Sequence, residues 1–128
     1  MRALVIDDSR AMRRIVSSQL EELGYETVHA ADGQQALDVL AEQSEPFDLA
    51  CIDWNMPVMD GMTFVQRVRE NRAWRGMTLM MVTTESEHDQ IVRALAAGAH
   101  EYLIKPFTPD ALEGKLELLG LLPVKEEA

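Results

Sequence analysis

Cysteine is nearly missing from this 128-residue chain, where Cys51 stands alone. One thiol can form neither an internal disulfide nor a thiolate zinc set, so a reduced compartment is the simplest expectation. Basic residues are also few: 12 Lys+Arg face 22 Asp+Glu, a formal charge of −10. A broad surface for nucleic acid or anionic lipid is thereby excluded, since the chain as a whole repels phosphate. No stretch reaches the roughly 18 apolar residues that a membrane span requires. Met1 to Ile6 runs straight into Asp7-Asp8 without the extended apolar region of a signal peptide. His29, His88 and His100 share no ligand spacing, so no histidine metal site is expected. There is no repeat, internal linker or low-complexity tract. What remains is an ordinary hydrophobic fraction, 47%, on a length suited to one core. The expectation is a single acidic domain, cytoplasmic and monomeric.

The apolar pattern changes period repeatedly. Ala3-Leu4-Val5-Ile6, Leu49-Ala50-Cys51-Ile52 and Leu79-Met80-Met81-Val82 are short continuous apolar runs, as strands covered on both faces require. Thr27–Ala30 and Tyr102-Leu103-Ile104 are two further strands. Between them, apolar residues recur at helical offsets: Met12, Ile15, Val16, Leu20 and Leu23; Ala36, Leu37 and Leu40; Phe64, Val65 and Val68; Ile91, Val92 and Leu95; Leu112, Leu116 and Leu119. Asp8 or Ser9 can cap the first helix and Gly24 can close it, while Thr108-Pro109 reads as a cap followed by Pro at the first helical position. Met56-Pro57 and Asp60-Gly61 mark 55–61 as a loop. Five β-α units predict an α/β domain, a doubly wound parallel sheet with helices on both faces. The domain should occupy 1–120, leaving a frayed tail over 121–128.

Ligands of open α/β sheets bind beyond the carboxyl ends of the strands. Asp7-Asp8, Asp53, Thr83-Thr84 and Lys105 all fall there. Each alone has an ordinary explanation as a cap, a solvated loop or a strand end, but together they would bring carboxylates, a hydroxyl and an ammonium to one edge. Clustered carboxylates repel unless a cation joins them, and all-oxygen ligation suits a hard ion, most naturally Mg²⁺. A metal, a lysine, a hydroxyl and a carboxylate able to attack phosphorus form a phosphoryl-transfer set.

Asp7-Asp8, Asp53-Trp54-Asn55-Met56-Pro57, Met59-Asp60-Gly61, Val82-Thr83 and Lys105-Pro106-Phe107 resemble the signature blocks of response-regulator receiver domains. They follow that family's order and spacing over nearly the whole chain, and are most similar to its single-domain chemotaxis members. The resemblance implies a flavodoxin-like (βα)5 fold with strand order 2-1-3-4-5. It implies that Asp53 accepts a phosphoryl group from a histidine kinase. Asp8, Asp53 and the main-chain carbonyl of Asn55 would ligate Mg²⁺, with Asp7 acting through a bound water. Thr83 and Lys105 would hold phosphoryl oxygens, and Tyr102 would be the aromatic switch residue. Asn55 and Glu85 would tune hydrolysis, while His88, Tyr102 and Lys115 would lie on the output face. The phosphorylation-dependent target would be a flagellar switch protein or a phosphorelay component.

Other readings remain to be weighed. A flavin-binding relative would need a Ser/Thr/Gly-rich cradle where this chain has Asp7-Asp8. An aspartate-nucleophile phosphatase would place a second Asp two residues after the nucleophile, where Asn55 stands. The chain is therefore read as a phospho-acceptor with only self-phosphorylation and self-dephosphorylation chemistry, not as an enzyme. A chain ending soon after the fifth helix is expected to signal by docking, although a receiver cut from a longer regulator would look the same. The acidic start of the fourth helix, Ser86-Glu87-His88-Asp89, departs from the basic one of motor-binding members. Trp54 is expected at the loop surface, Cys51 as inert packing, Met80 and Met81 in the core, and Tyr102 alternatively as a half-buried strand residue.

Overall fold

The computed structural model describes residues 1–84 and 88–123, with the His88 side chain excepted. Five strands, β1 (Arg2–Ile6), β2 (Glu26–Ala30), β3 (Leu49–Ile52), β4 (Thr78–Thr83) and β5 (Glu101–Ile104), form one parallel sheet in the order 2-1-3-4-5. Five helices alternate with them: α1 (Arg10–Glu22), α2 (Gly33–Glu42), α3 (Gly61–Glu70), α4 (His88–Ala97) and α5 (Pro109–Leu118). The architecture expected from the alternating periods is the one observed. A short 3₁₀ turn at Arg72–Trp74 precedes β4, and no periodicity announces it.

Strand alternation divides the apolar residues into two cores. Leu4, Ile6, Ala50, Ile52, Leu79, Met81 and Tyr102 point to one face, against Ala36 and Leu40 of α2, Phe64, Val65 and Val68 of α3, and Ala94 of α4. Ala3, Val5, Leu49, Cys51, Met80, Val82 and Leu103 point to the other, against Val16 and Leu20 of α1 and Leu112 and Leu116 of α5. Both faces of β1, β3 and β4 are covered, which is why those strands read as unbroken apolar runs. Burial pushes the Cys51 thiol up to about 12, so it stays protonated and acts as packing.

The helix ends follow their caps. Ser9, Asp32, Asp60 and Thr108 each accept a hydrogen bond from a first-turn N–H, and Pro109 occupies the start of α5. Gly24 takes a φ of 100° after α1, a conformation that a side chain resists.

Three expectations are corrected. Val92 and Leu95 of α4 are exposed, as is Ile15 of α1; α4 turns Ala94 into the core, with Ile91 and Ala97 packed against it. Trp54 is buried, at 9% exposure, within the α2/α3 core. It stands two residues beyond Ile52 and four beyond Ala50, so the strand's alternation carries it into that core. The chain after Gly120 does not fray at once: Leu121 and Leu122 pack on the α1/α5 core, and the Tyr25 hydroxyl donates to the Leu121 carbonyl. The remaining tail residues, 124–128, lie outside the described ones.

His100 ties three elements at the opposite end of the sheet from the strand-end acids. Its Nδ1 accepts from the Leu79 N–H (3.0 Å) and from Arg69 Nη2 (3.0 Å), while Arg69 Nε donates to the Gly98 carbonyl (3.0 Å). Desolvation, and then the Arg69 charge, hold the imidazole below its usual pKa. A depressed folded-state value means that the contact stabilises fully above the unfolded value, near 6.5, and is lost as pH falls through the folded one. Lowering the pH from 7 to 5 should therefore depress the melting temperature more in the wild type than in His100→Gln. Parallel pH profiles would contradict this role.

Candidate functional site

The parallel ladder delivers the polar residues to one edge. The Asp7 N–H donates to the Ala30 carbonyl (3.1 Å), Asp53 N–H to Ile6 (2.9 Å) and Lys105 N–H to Thr83 (2.9 Å), so each is held as a continuation of its strand pairing. Asp7, Asp53 and Lys105 stand two residues beyond Val5, Cys51 and Leu103, which share the α1/α5 core. Strand alternation thus sends all three toward the same side of the sheet edge.

There the charges meet. Lys105 Nζ lies 2.7 Å from Asp7 Oδ2 and 3.7 Å from Asp53 Oδ1. Asp7 Oδ1 also accepts from the Ser9 N–H at 2.9 Å, which occupies its second oxygen. The Asp53 carboxylate accepts from its neighbour's main chain, Trp54 N–H, at 2.9 Å, and from the Thr83 hydroxyl. Asp7, Asp53 and Thr83 are buried, whereas Asp8 is exposed. One carboxylate oxygen from each of Asp7, Asp8 and Asp53 lies within 4.8 Å of the others.

These contacts oppose one another at Asp53. Burial raises its pKa above the usual carboxylate value; Lys105 lowers it, Asp7 raises it again, and the Thr83 and Trp54 hydrogen bonds lower it, with the net direction upward. One ammonium shared by two buried carboxylates under-neutralises them, and the third carboxylate, Asp8, adds to the deficit. A hard cation with oxygen ligands would relieve it, and the donor set, all carboxylate among these three, fits such an ion.

The loop after β3 keeps this edge compact. A Cβ on Gly61 would stand 2.2 Å from the Asp53 carbonyl oxygen, so no larger residue fits without moving the chain at Asp53. The Gly61 N–H donates to the Trp54 carbonyl at 2.9 Å, closing the loop over the buried indole. At its tip, Met59 N–H bonds to the Pro57 carbonyl (2.7 Å) around Val58, whose φ of 68° is strained for a β-branched residue. The Val58 side chain is 83% exposed.

The other expected residues are placed as follows. Tyr102 is buried at 7% exposure, on the α4 side of β5; it pairs in register with Met81, so Thr83, two residues on, lies on the same face of the neighbouring strand. Lys115 of α5 pairs with Glu101 at 3.0 Å on the opposite face of β5. Asn55 is exposed in the loop, two residues after Asp53. Glu85 and the His88 side chain lie outside the described residues. Arg13 was not singled out by motif: its Nη1 donates to the Asp7 carbonyl at 2.6 Å, and its helical position four residues after Ser9 is the signal that could have placed it there.

Among the described residues no helix is long and apolar enough to cross a membrane. The model of the response regulator receiver domain matches residues 3–117. The chain is 42% identical over 118 residues to a chemotaxis protein CheY homolog of Campylobacter jejuni, covering 91% of this chain and 90% of that protein. It is 39% identical over 123 residues to chemotaxis protein CheY1 of Helicobacter pylori, covering 93% and 96%. Among solved structures, chemotaxis response regulator CheY4 of Vibrio cholerae superposes with a TM-score of 0.84 at 37% identity, covering 92% of this chain and 97% of that one. The matched family, the sheet order and the acidic strand-end cluster agree, and the chain belongs to the response regulator receiver domains, phospho-acceptor signalling modules rather than catalytic enzymes.

Proposed function

We propose that Asp53 accepts a phosphoryl group from the phosphohistidine of a histidine kinase, and that the resulting acyl phosphate changes what the α4–β5–α5 face binds. The observation that carries this is the Asp53 carboxylate itself: nearly buried, 3.7 Å from Lys105, and clustered with Asp7 and Asp8. An Asp53 oxygen attacks phosphorus as the N–P bond breaks, and the electron pair stays with the imidazole nitrogen, which takes up a proton. Thr83 and Lys105, already on the Asp53 carboxylate, are placed to donate to the transferred oxygens. Asp8, Asp53 and the Asn55 main-chain carbonyl would hold Mg²⁺, with Asp7 acting through water. When bound, the ion supplies charge neutralisation at the three carboxylates and the phosphoryl oxygens. Asn55 and Glu85 would set how readily water removes the phosphate.

The finer assignment is chemotaxis signalling, supported by relatives that carry that name across nine-tenths of their length. A flagellar switch protein is then the target, and a stand-alone phosphorelay carrier the other possibility. His88, Tyr102 and Lys115 would contribute to the output face. We further infer a cytoplasmic monomer whose receiver unit spans 1–120.

Asp53→Asn should abolish hydroxylamine-labile labelling by acetyl phosphate, because an amide is a poor nucleophile. Full labelling of that variant would contradict the assignment. Mg²⁺ should raise the melting temperature of the wild type by mass action and raise that of Asp8→Ala far less. An equal rise in the two proteins would place the cation elsewhere.

A further inference from the structure

A cavity of about 640 Å³ opens at the end of the sheet away from the phospho-acceptor edge, between the α2–β3 connection (43–48) and the α3–β4 connection (71–77). Its walls are largely apolar and aromatic: Leu40, Phe47 and Met77 are buried there, and Trp74 is half-buried. Glu45 and Asp48 supply carboxylates, and among the described residues the walls hold no Lys, Arg or His. The guanidinium beside them, Arg2, is over-subscribed. Its Nε lies 3.6 Å from both Glu26 and Glu45, its Nη1 donates to the Glu45 carbonyl at 2.8 Å, and its main-chain N–H donates to Asp48 Oδ2 at 2.8 Å. It also stacks on the Phe47 ring, 4.3 Å from the centroid. One guanidinium thus serves three carboxylates, and its buried Nε makes no hydrogen bond to either glutamate. The surplus charge at the cavity is negative. Gln43 Oε1 accepts from Arg2 Nη2 and Asn71 Oδ1 from the Ala73 N–H, so each retains an NH2 group for an acceptor on a ligand.

We propose that this cavity binds a small organic cation, an ammonium group carried on an aromatic or alkyl body. Small-molecule sites share concave, mostly apolar walls with a few polar groups, in volumes of about 300–1,000 Å³. The apolar body packs on Leu40, Phe47 and Met77, which a fully hydrated inorganic ion would leave unused. The ammonium meets Glu45, which is exposed and so can turn toward it, and the ring of Trp74, whose face attracts a cation. An anionic ligand is disfavoured twice, by these carboxylates and by the chain's charge of −10. The site shares no residue with the Asp7, Asp8 and Asp53 cluster, and the inference does not depend on Asp53 being the acceptor.

The test records amide and indole chemical shifts of the full chain with excess Mg²⁺, which competes with ammonium groups for the acidic edge. Three probes share one body and differ in charge: tyramine, neutral para-propylphenol and anionic para-hydroxyphenylpropionate. Tyramine should bind saturably and shift Glu45, Phe47, Gly76 and the Trp74 indole. It should bind about tenfold more tightly than propylphenol, a ratio that corresponds to ~1.4 kcal/mol. The propionate should bind more weakly than either. Glu45→Gln should remove most of the tyramine preference and leave propylphenol affinity unchanged, which also reports an intact cavity. Trp74→Leu should narrow the same preference, because an aliphatic side chain presents no ring face. Equal affinities for tyramine and propylphenol would make the cavity merely apolar and overturn the proposal. So would an undiminished preference in Glu45→Gln, the absence of saturable binding, or tyramine shifts confined to Asp7, Asp8 and Asp53. Binding of a lysine-rich peptide at these residues without saturable tyramine binding would assign the surface to a protein and overturn it too.

Discussion

Everything at the functional edge depends on one ammonium serving two buried carboxylates. Lys105 sits at contact distance from Asp7 and a further ångström from Asp53, so Asp7 is the better neutralised of the two. Asp53 keeps a carboxylate that burial disfavours and that Thr83 and the Trp54 amide only partly compensate. Such a site gains from an added cation and from the replacement of a lone carboxylate by a phosphoryl group that can use the same donors. The fold maintains this imbalance: four parallel strands, β1, β3, β4 and β5, end together, and a glycine at position 61 lets the chain at Asp53 sit against the next helix.

The same sheet links the site to its outer face. Thr83 is fully buried at the end of β4, and Tyr102 lies on the same face of β5, in the core that also holds Ala94 of α4. A shift of the Thr83 hydroxyl toward a phosphoryl oxygen would change packing around the Tyr102 ring, because a close-packed core cannot absorb it silently. Lys115 and Glu101 lie on the other side of β5, so the strand presents one face to the Tyr102 core and one to an ion pair. Signalling then needs only a bias between two packings of one strand and its flanking helices.

Much of this was legible in the residues. Buried parallel strands show as apolar runs, and strand-end acids stand out because they interrupt them. Asp7, Asp53, Thr83 and Lys105 could therefore be placed at one edge by pattern, although only the structure makes Asp7 the tighter partner of Lys105. Trp54 was misjudged because the alternation from Ala50 and Ile52 persists past the strand end into a covered face. Val92 and Leu95 differ for another reason: spacing finds a helix, but which face it buries is a tertiary property, and α4 buries Ala94 with Ile91 and Ala97 packed against the core. Arg13 stands outside the strand-end pattern, and only its helical position four residues after Ser9 hints at its bond to the Asp7 carbonyl.

The central claim is that charge change at Asp53 reaches the β5 face through Thr83. Amide chemical shifts recorded with beryllofluoride and Mg²⁺, a stable mimic of the phosphoryl group, test it directly. In the wild type the shifts should extend from Asp53 and Lys105 to Tyr102 and Lys115. In Thr83→Ala they should remain around Asp53 and Lys105, leaving Tyr102 and Lys115 at their unactivated positions. The same spread of shifts in both proteins would contradict the account.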